Sequence, residues 1–181
     1  RELLKVALPA ATTNLLGPLS AAVITALVAS HGANAVAAYG VGTRIEALAL
    51  VVIMALGSAV SPFIGQNYGA GHHHRISQGL RIVFQLSIAW ALLSAVMLAL
   101  GGGLVARQFS EVASIQQDIV LYLQIVPAGY AGLGLVMIIG AALNVLRRPL
   151  LGTTINVSRL FLVALPAAWI GDRLYGLTGL F

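Results

Sequence analysis

Five long apolar segments, separated by short polar or charged connections, constrain the fold of this 181-residue chain more than any other feature. A helix needs about 20 mostly apolar residues to cross the hydrocarbon core of a bilayer. Each segment reaches roughly that length. We therefore expect lipid, and not water, to surround most of the chain. The segments cover approximately residues 6–30, 36–64, 82–105, 119–146 and 150–170.

The composition supports a membrane protein built from helices. Only 8% of the residues are charged and 59% are hydrophobic, whereas soluble domains carry about 25% charged residues. The segments are too long for membrane strands and lack alternation of polar and apolar residues. Unpaired backbone groups in lipid would also be costly outside a helix. The predicted fold class is all-α, a polytopic bundle of transmembrane helices.

The connections between the segments are predicted to be short and polar. Residues 31–34 are predicted to form a tight turn, 65–75 a polar Gly-rich connection, and 107–118 a short amphipathic linker or a helix start. Arg147-Arg148-Pro149 should end the fourth span, because Pro cannot continue its helix. Residues 174–181 are predicted to form a loop that leads towards a further span.

Basic residues are distributed unevenly between the two sides of the predicted bundle. The positive-inside rule places the side richer in Lys and Arg in the cytoplasm. We therefore expect the N-terminus of the chain to be cytoplasmic. That side would hold Arg1, Lys5, Arg75, Arg81, Arg147 and Arg148, and the other would hold Arg107 and Arg173.

Two motifs around the second segment resemble those of a known transporter family. Ala37-Ala38-Tyr39-Gly40-Val41-Gly42-Thr43-Arg44-Ile45-Glu46 is followed by Gly65-Gln66-Asn67-Tyr68-Gly69-Ala70-Gly71. Together they resemble the multidrug and toxic compound extrusion (MATE) family. Leu8-Pro9-Ala10 and the stretch from Arg159 through Leu165-Pro166 are also similar. The resemblance covers nearly the whole chain in order.

The resemblance implies a fold and a function. MATE proteins have two six-helix lobes with a cleft between them, and this chain looks like five spans of the C-terminal lobe, with the N-terminal lobe and the last span outside it. It implies a secondary active antiporter in the bacterial inner membrane. Such antiporters need no resident cofactor and expel small cationic or amphipathic compounds in exchange for sodium ions or protons. The alternative is a flippase of related architecture for lipid-linked oligosaccharides or polysaccharides, which would need a strongly basic cavity.

The resemblance also bears on the branch of the family. In the NorM-type branch, this lobe carries carboxylates on two spans, at places that fall near Gly17 and Leu133 here. Neither segment has an Asp or Glu in its apolar interior. The chain therefore looks more like the DinF-type branch, whose coupling carboxylate lies in the N-terminal lobe.

Glu46 is the only acidic residue deep inside a predicted span. Ten residues from Val36 at about 1.5 Å each place it roughly 15 Å deep. Ionisable groups at that depth are costly and usually face a cavity or a partner. Glu46 is therefore either a proton- or cation-binding group of the cleft or a structural carboxylate bonded to neighbouring helices.

Arg44 and Arg159 are basic residues near the predicted membrane interior. Arg44 cannot pair with Glu46 within one helix, because positions two apart point to different sides. Arg159 has Asn156 three residues before it on the same face. We predict that Arg159 faces protein and caps carbonyl groups or pairs with Glu46, although their depths differ by about 9 Å. Arg44, Arg159 and Asn156 are candidates for the cleft.

Thr13, Asn14 and Tyr39 complete the set of candidate cleft residues. Thr13 and Asn14 belong to a group of polar residues on the first span. Such residues either support helix packing or line the cleft. Tyr39 belongs to the motif that carries the family resemblance.

Other function classes lack their sequence signatures. His72-His73-His74 is a run without nearby acids or cysteines, so we expect no metal site. The glycine pairs and runs lack the rest of a phosphate-binding loop, and no catalytic motif of an intramembrane enzyme is present. The ten Lys and Arg residues form no dense cluster that would bind nucleic acid. We therefore expect neither an enzyme nor a nucleic-acid-binding protein.

Overall fold

The computed structural model describes residues 17–181, and within that range the chain folds into helices joined by short connections. A 3₁₀ turn, Val126–Gly129, joins α4 to α5, and a π-helical segment, Arg159–Ala164, joins α6 to α7. The helices are α1 Gly17–Ala29, α2 Ala33–Gly69, α3 His73–Phe109, α4 Ala113–Ile125, α5 Tyr130–Val145, α6 Pro149–Ser158, α7 Leu165–Tyr175 and α8 Leu177–Leu180.

Four helical stretches in residues 17–181 are long and apolar enough to cross a membrane: Ala33–Gly69, His73–Phe109, Ala113–Val145 and Pro149–Tyr175. Each of them overlaps one of the last four predicted spans and is longer, because polar end residues continue the helices beyond the apolar stretch. The first predicted span, 6–30, lies partly outside the described residues, and its described part is helical. The all-α transmembrane prediction agrees with this architecture.

Two predicted connections differ from the structure. Residues 65–75 were expected to be a polar loop, but α2 continues to Gly69 and α3 begins at His73, so only 70–72 connect them. Gly71 has φ +75° there, which glycine adopts without strain. The tight turn lets α2 and α3 pack as an antiparallel pair. His73 and His74 therefore belong to a helix, and all three histidines of the run are exposed.

The C-terminal stretch is also not an extended loop. After Gly176, at φ +59°, the short helix α8 folds back on α7. Gly171 and Gly179 bring the two backbones into direct contact, since neither has a side chain. Leu180 is buried against Val28, Ala35 and Ala168. Burial of Leu180 explains why this stretch folds onto the bundle.

Helix α2 lies at the centre of the packing and contacts α3, α4 and α5, whereas α6 packs on α5. We name the two ends of the bundle by their turns. The His31 end contains the connections at 30–32, 110–112 and 176, and the His72 end contains those at 70–72 and 146–148. The Trp90 indole Nε1 donates a hydrogen bond to the Ala49 carbonyl at 2.8 Å and ties α3 to α2.

Polar contacts hold the His31 end together. Asn34 Nδ2 donates to Ser114 Oγ at 3.0 Å and joins the starts of α2 and α4. His31 Nε2 lies 2.5 Å from Asp172 Oδ1, so the turn before α2 is joined to α7. These contacts fix the starts of α2 and α4, the two helices that carry the candidate site.

Candidate functional site

Glu46 lies inside the bundle and is hydrogen-bonded to a tyrosine on another helix. The Tyr122 hydroxyl on α4 donates to Glu46 Oε2 on α2. Glu46 is 13 residues from the start of α2 at Ala33, which is about 20 Å along the helix. Glu46 is half-buried and Tyr122 is buried. A carboxylate is thus held at membrane depth by a neutral donor, and no Lys, Arg or His among residues 17–181 forms an ion pair with it.

Gly42 makes this hydrogen bond sterically feasible. It precedes Glu46 by four residues, so both lie on one face of α2. A Cβ atom at Gly42 would lie only 2.7 Å from two atoms of the Tyr122 ring. The ring therefore lies directly over the Gly42 backbone and reaches Glu46 one turn further on. The family-like motif Gly42-Thr43-Arg44-Ile45-Glu46 thereby acquires a geometric explanation.

An aromatic cluster of Tyr39, Tyr122 and Phe181 lies on the His31 side of Glu46. Tyr122 meets Phe181 edge-on with ring centroids 5.0 Å apart, and Tyr39 meets Tyr122 edge-on at 5.9 Å. Tyr39 and Phe181 are stacked at 6.4 Å. Tyr39, predicted from the motif, is thus brought next to the residue that binds Glu46. The cluster shields the carboxylate from that end of the bundle.

Two buried hydroxyls near the centre of the bundle have no hydrogen-bond partner within residues 17–181. They are Tyr130 Oη on α5 and Ser87 Oγ on α3. Buried polar groups are normally paired, so the Tyr130 hydroxyl is available to an ion or a water molecule.

Arg44 does not join this cluster. It lies two residues before Glu46, on another face of α2, and its side chain is exposed on the described bundle. Thr13 and Asn14, the other candidates from the first two helices, lie outside the described residues. The structure therefore brings Glu46 and Tyr39 together and leaves Arg44 apart from them.

Arg159 is half-buried but does not pair with Glu46, contrary to one of the two predicted options. Its Nη2 donates to Asn156 Oδ1 at 3.4 Å, so the predicted proximity of these two residues is confirmed. Its Nε is buried and has no acceptor among the described residues. Helix α6 packs on α5, and α5 packs on α2, so Arg159 is one helix removed from Glu46.

A groove of about 310 Å³ lies between α2 and α5, towards the His72 end of Glu46. Met54 and Met137 supply flexible apolar surface, and Ser58, Ser61 and Asn144 supply polar atoms. Small-molecule sites commonly combine a mostly apolar lining with a few polar groups in volumes of about 300–1,000 Å³. The sequence analysis missed this groove, although Met54, Ser58 and Ser61 share one helix face.

Tyr122 was also missed by the sequence analysis. It is 76 residues from Glu46 along the chain, and nothing local to either residue indicates the other. Only the packing of α4 on α2 brings them together.

The family model described as MatE matches residues 9–170 of the chain. The chain belongs to the MATE family. This membership confirms the predicted family and, with the helical architecture, the predicted fold class.

Three similar proteins illustrate the relationship. The "FAD transporter" of Shewanella oneidensis is 39% identical over 179 residues, which are 99% of this chain and 40% of that protein. The crystal structure of the Vibrio cholerae MATE transporter VcmN in the bent form superposes with a TM-score of 0.91 at 35% identity, over 95% of this chain and 39% of VcmN. The "probable multidrug resistance protein YoeA" of Bacillus subtilis is 35% identical over 80 residues, 44% of this chain and 17% of that protein.

The match to the Shewanella oneidensis relative covers 99% of this chain but only 40% of that protein. The chain therefore spans about 40% of the relative's length. That share fits one lobe of a two-lobe protein, as the resemblance implied. Two of the three similar proteins are named as transporters, which agrees with the prediction that the chain is not part of an enzyme.

Proposed function

We propose that this chain is the C-terminal lobe of a cation-coupled secondary transporter, which exports small organic compounds across a bacterial inner membrane. Its partners would be the N-terminal lobe, the surrounding lipid and the transported compound. One observation carries the proposal, the Glu46 carboxylate that Tyr122 holds at membrane depth. An ionisable group in a span is a functional candidate by default, because lipid makes its charge expensive.

The proposed coupling uses the two charge states of Glu46. A bound proton or sodium ion would neutralise the carboxylate, and its release would restore the negative charge. The Tyr130 hydroxyl, which lacks a partner in residues 17–181, would contribute one oxygen to such an ion. Transporters of this type alternate access by movement of one repeat against the other around a central site. Coupling through Glu46 differs from the DinF-like expectation, in which the coupling carboxylate lies in the N-terminal lobe.

The groove between α2 and α5 is the proposed contact surface for the transported compound. Methionine side chains adapt to ligands of different shape, as Met54 and Met137 would do here. The nearby hydroxyl and amide groups suit amphipathic compounds. These features support export of diverse organic molecules, including the cationic compounds that the family resemblance implies.

A second candidate is the export of a flavin dinucleotide. It is favoured by the name of the Shewanella oneidensis relative, a FAD transporter, which matches 99% of this chain. The flippase alternative has less support, since Arg44 and Arg159 are the basic residues deep inside the described spans. Two separated guanidinium groups do not make a strongly basic cavity.

Replacement of Glu46 by Gln in the full-length parent tests the coupling role. The parent would be reconstituted in liposomes, and export of ethidium would be followed under an imposed sodium or proton gradient. We expect Glu46→Gln to lower gradient-driven export by about tenfold or more, because an amide cannot exchange a proton or balance a cation.

Glu111→Gln is the matched control for this experiment. Glu111 is exposed in the connection between α3 and α4, so its replacement removes one negative charge from outside the site. Export by this variant should equal that of the wild type. If Glu46→Gln exports ethidium at the wild-type rate under both gradients, Glu46 is a structural carboxylate. Absence of export by the wild type under either gradient would remove the antiporter proposal.

A further inference from the structure

Arg159 lies in the middle of the last described span, at the start of the π-helical segment Arg159–Ala164. It is 10 residues from Pro149, or about 15 Å along the helix. Single π-helical turns inside α-helices are frequent at functional sites. The position therefore combines a permanent charge, membrane depth and an irregular helix.

Arg159 has no carboxylate partner in residues 17–181. Four of the five acidic residues of the chain belong to that range. Glu46 accepts its hydrogen bond from Tyr122, Asp172 pairs with His31, and neither Glu111 nor Asp118 forms an ion pair with Arg159. The remaining acid, Glu2, lies outside the described residues, at the predicted membrane surface. The described residues thus supply no counter-ion at the depth of Arg159.

The hydrogen-bonding capacity of Arg159 is mostly unused by the described residues. A guanidinium has five N–H donors, and the structure gives it one long bond, from Nη2 to Asn156 Oδ1 at 3.4 Å. The Nε atom is buried without an acceptor. Leaving a buried charged donor unpaired is costly. Arg159 is therefore suited to an anion that arrives from outside this chain.

The packing of α6 on α5 places Arg159 at a depth similar to that of the groove between α2 and α5. A Cβ at Gly152 would lie 3.5 Å from the Cα of Gly140, so these glycines are at the same level. Helices α5 and α6 run antiparallel. Arg159 lies seven residues after Gly152 and Leu133 lies seven residues before Gly140, so Arg159 and Leu133 are at about the same level. Leu133 is one turn from Met137, which lines the groove. Arg159 and the groove thus lie at similar depths, on either side of α5, with α6 on one side and α2 on the other.

We propose that Arg159 binds the phosphate group of an anionic amphipathic substrate whose apolar part occupies the groove between α2 and α5. A planar guanidinium donates two parallel hydrogen bonds to a phosphate, which gives both strength and orientation. This inference deepens the proposed export function, on which it rests, and it names the substrate class as organic phosphates with a large apolar ring. The flavin dinucleotide of the second candidate has that chemistry.

Equilibrium binding of three flavins to the full-length parent in neutral detergent tests the inference. FAD, FMN and riboflavin share one ring system and differ in their phosphates, and quenching of flavin fluorescence reports binding. Loss of a charge-assisted hydrogen bond costs about 1.5–3 kcal/mol, so Arg159→Gln should weaken FAD and FMN binding by about 10- to 100-fold. Riboflavin and ethidium binding should not change. Arg159→Lys should recover part of the affinity for FMN.

Arg173→Gln is the matched control, because Arg173 is exposed at the end of the same span and stacks on Trp169 at 4.3 Å. It should leave all affinities unchanged. Equal affinity of the wild type for FMN and riboflavin, or unchanged FMN binding in Arg159→Gln, would overturn the inference. So would loss of a co-purified anionic phospholipid from Arg159→Gln with FMN affinity unchanged, which would assign the guanidinium to a lipid phosphate.

The binding measurement separates this inference from the proposed function. If the parent binds FMN through Arg159 but exports nothing under either gradient, the anion site stands and the antiporter proposal fails. If it exports ethidium under a gradient while Arg159 has no effect on flavin binding, the antiporter proposal stands and the anion site fails.

Discussion

Gly42→Ala is expected to separate Tyr122 from Glu46 and to destabilise the parent transporter. The new Cβ would lie 2.7 Å from two ring atoms of Tyr122, so the ring must move away from α2. Overpacking of this kind costs about 1–3 kcal/mol. The midpoint of thermal unfolding in detergent should fall, and gradient-driven export of ethidium should decrease because Glu46 loses the donor that positions it.

Gly40→Ala is the control for this prediction, because it adds the same methyl group two residues away on the same helix. A Cβ at Gly40 would have no atom within 4 Å among the described residues. The midpoint of thermal unfolding of Gly40→Ala should stay at the wild-type value or rise slightly, since Ala is a better helix former than Gly. Equal midpoints and equal export for both variants would show that Tyr122 does not depend on the space above Gly42.

The membrane fold was predictable from the sequence because lipid imposes a simple rule. An uninterrupted apolar stretch must form a helix in the bilayer, and each of the last four predicted spans overlaps one long helical stretch. The ends of the helices were less predictable. Polar residues such as Asn67 and His73 can continue a helix into the interface as easily as they can end it. The connection at 70–72 is therefore much shorter than the expected loop at 65–75.

The site was only partly predictable because its chemistry depends on pairs of distant residues. Glu46 stood out as an acid within an apolar span, and the structure places it beside Tyr122. Tyr122 itself belongs to an apolar segment and has no local feature that distinguishes it from a packing residue. The suggested pairing of Arg159 with Glu46 was wrong because depth along a span says nothing about which helix lies next to it. Helix α5 contacts both α2 and α6.

Gly42 and Glu46 show how a motif gains meaning from packing. Read along the sequence, Gly42-Thr43-Arg44-Ile45-Glu46 is a family signature without a mechanism. In the structure, the spacing of four residues places Gly42, which has no side chain, and the Glu46 carboxylate on one helix face. The ring of Tyr122, from α4, lies over Gly42, and its hydroxyl donates a hydrogen bond to Glu46. The smallest residue is thus as important to the arrangement as the charged one.

Gly171→Ala is expected to detach α8 from α7 in the parent protein. A Cβ at Gly171 would lie 2.6 Å from the carbonyl carbon of Gly179. A backbone atom cannot rotate away as a side chain can, so one helix must shift. We expect a loss of about 3 kcal/mol of stability, at the upper end of overpacking costs. The midpoint of thermal unfolding in detergent should fall further than in Gly42→Ala.

The displacement should also reach the Glu46 site, because α8 is followed by Phe181, which contacts both Tyr39 and Tyr122. Trypsin cleavage after the exposed Arg173 should become faster as α8 detaches, and ethidium export should decrease.

Gly101→Ala is the control, since a Cβ there has no atom within 4 Å in the described part of the chain. If Gly171→Ala unfolds at the same temperature as Gly101→Ala and resists trypsin equally well, α8 does not pack on α7 through these glycines. The aromatic cluster would then not depend on α8 for its position, and Tyr122 would be held over Glu46 by α2 and α4 alone.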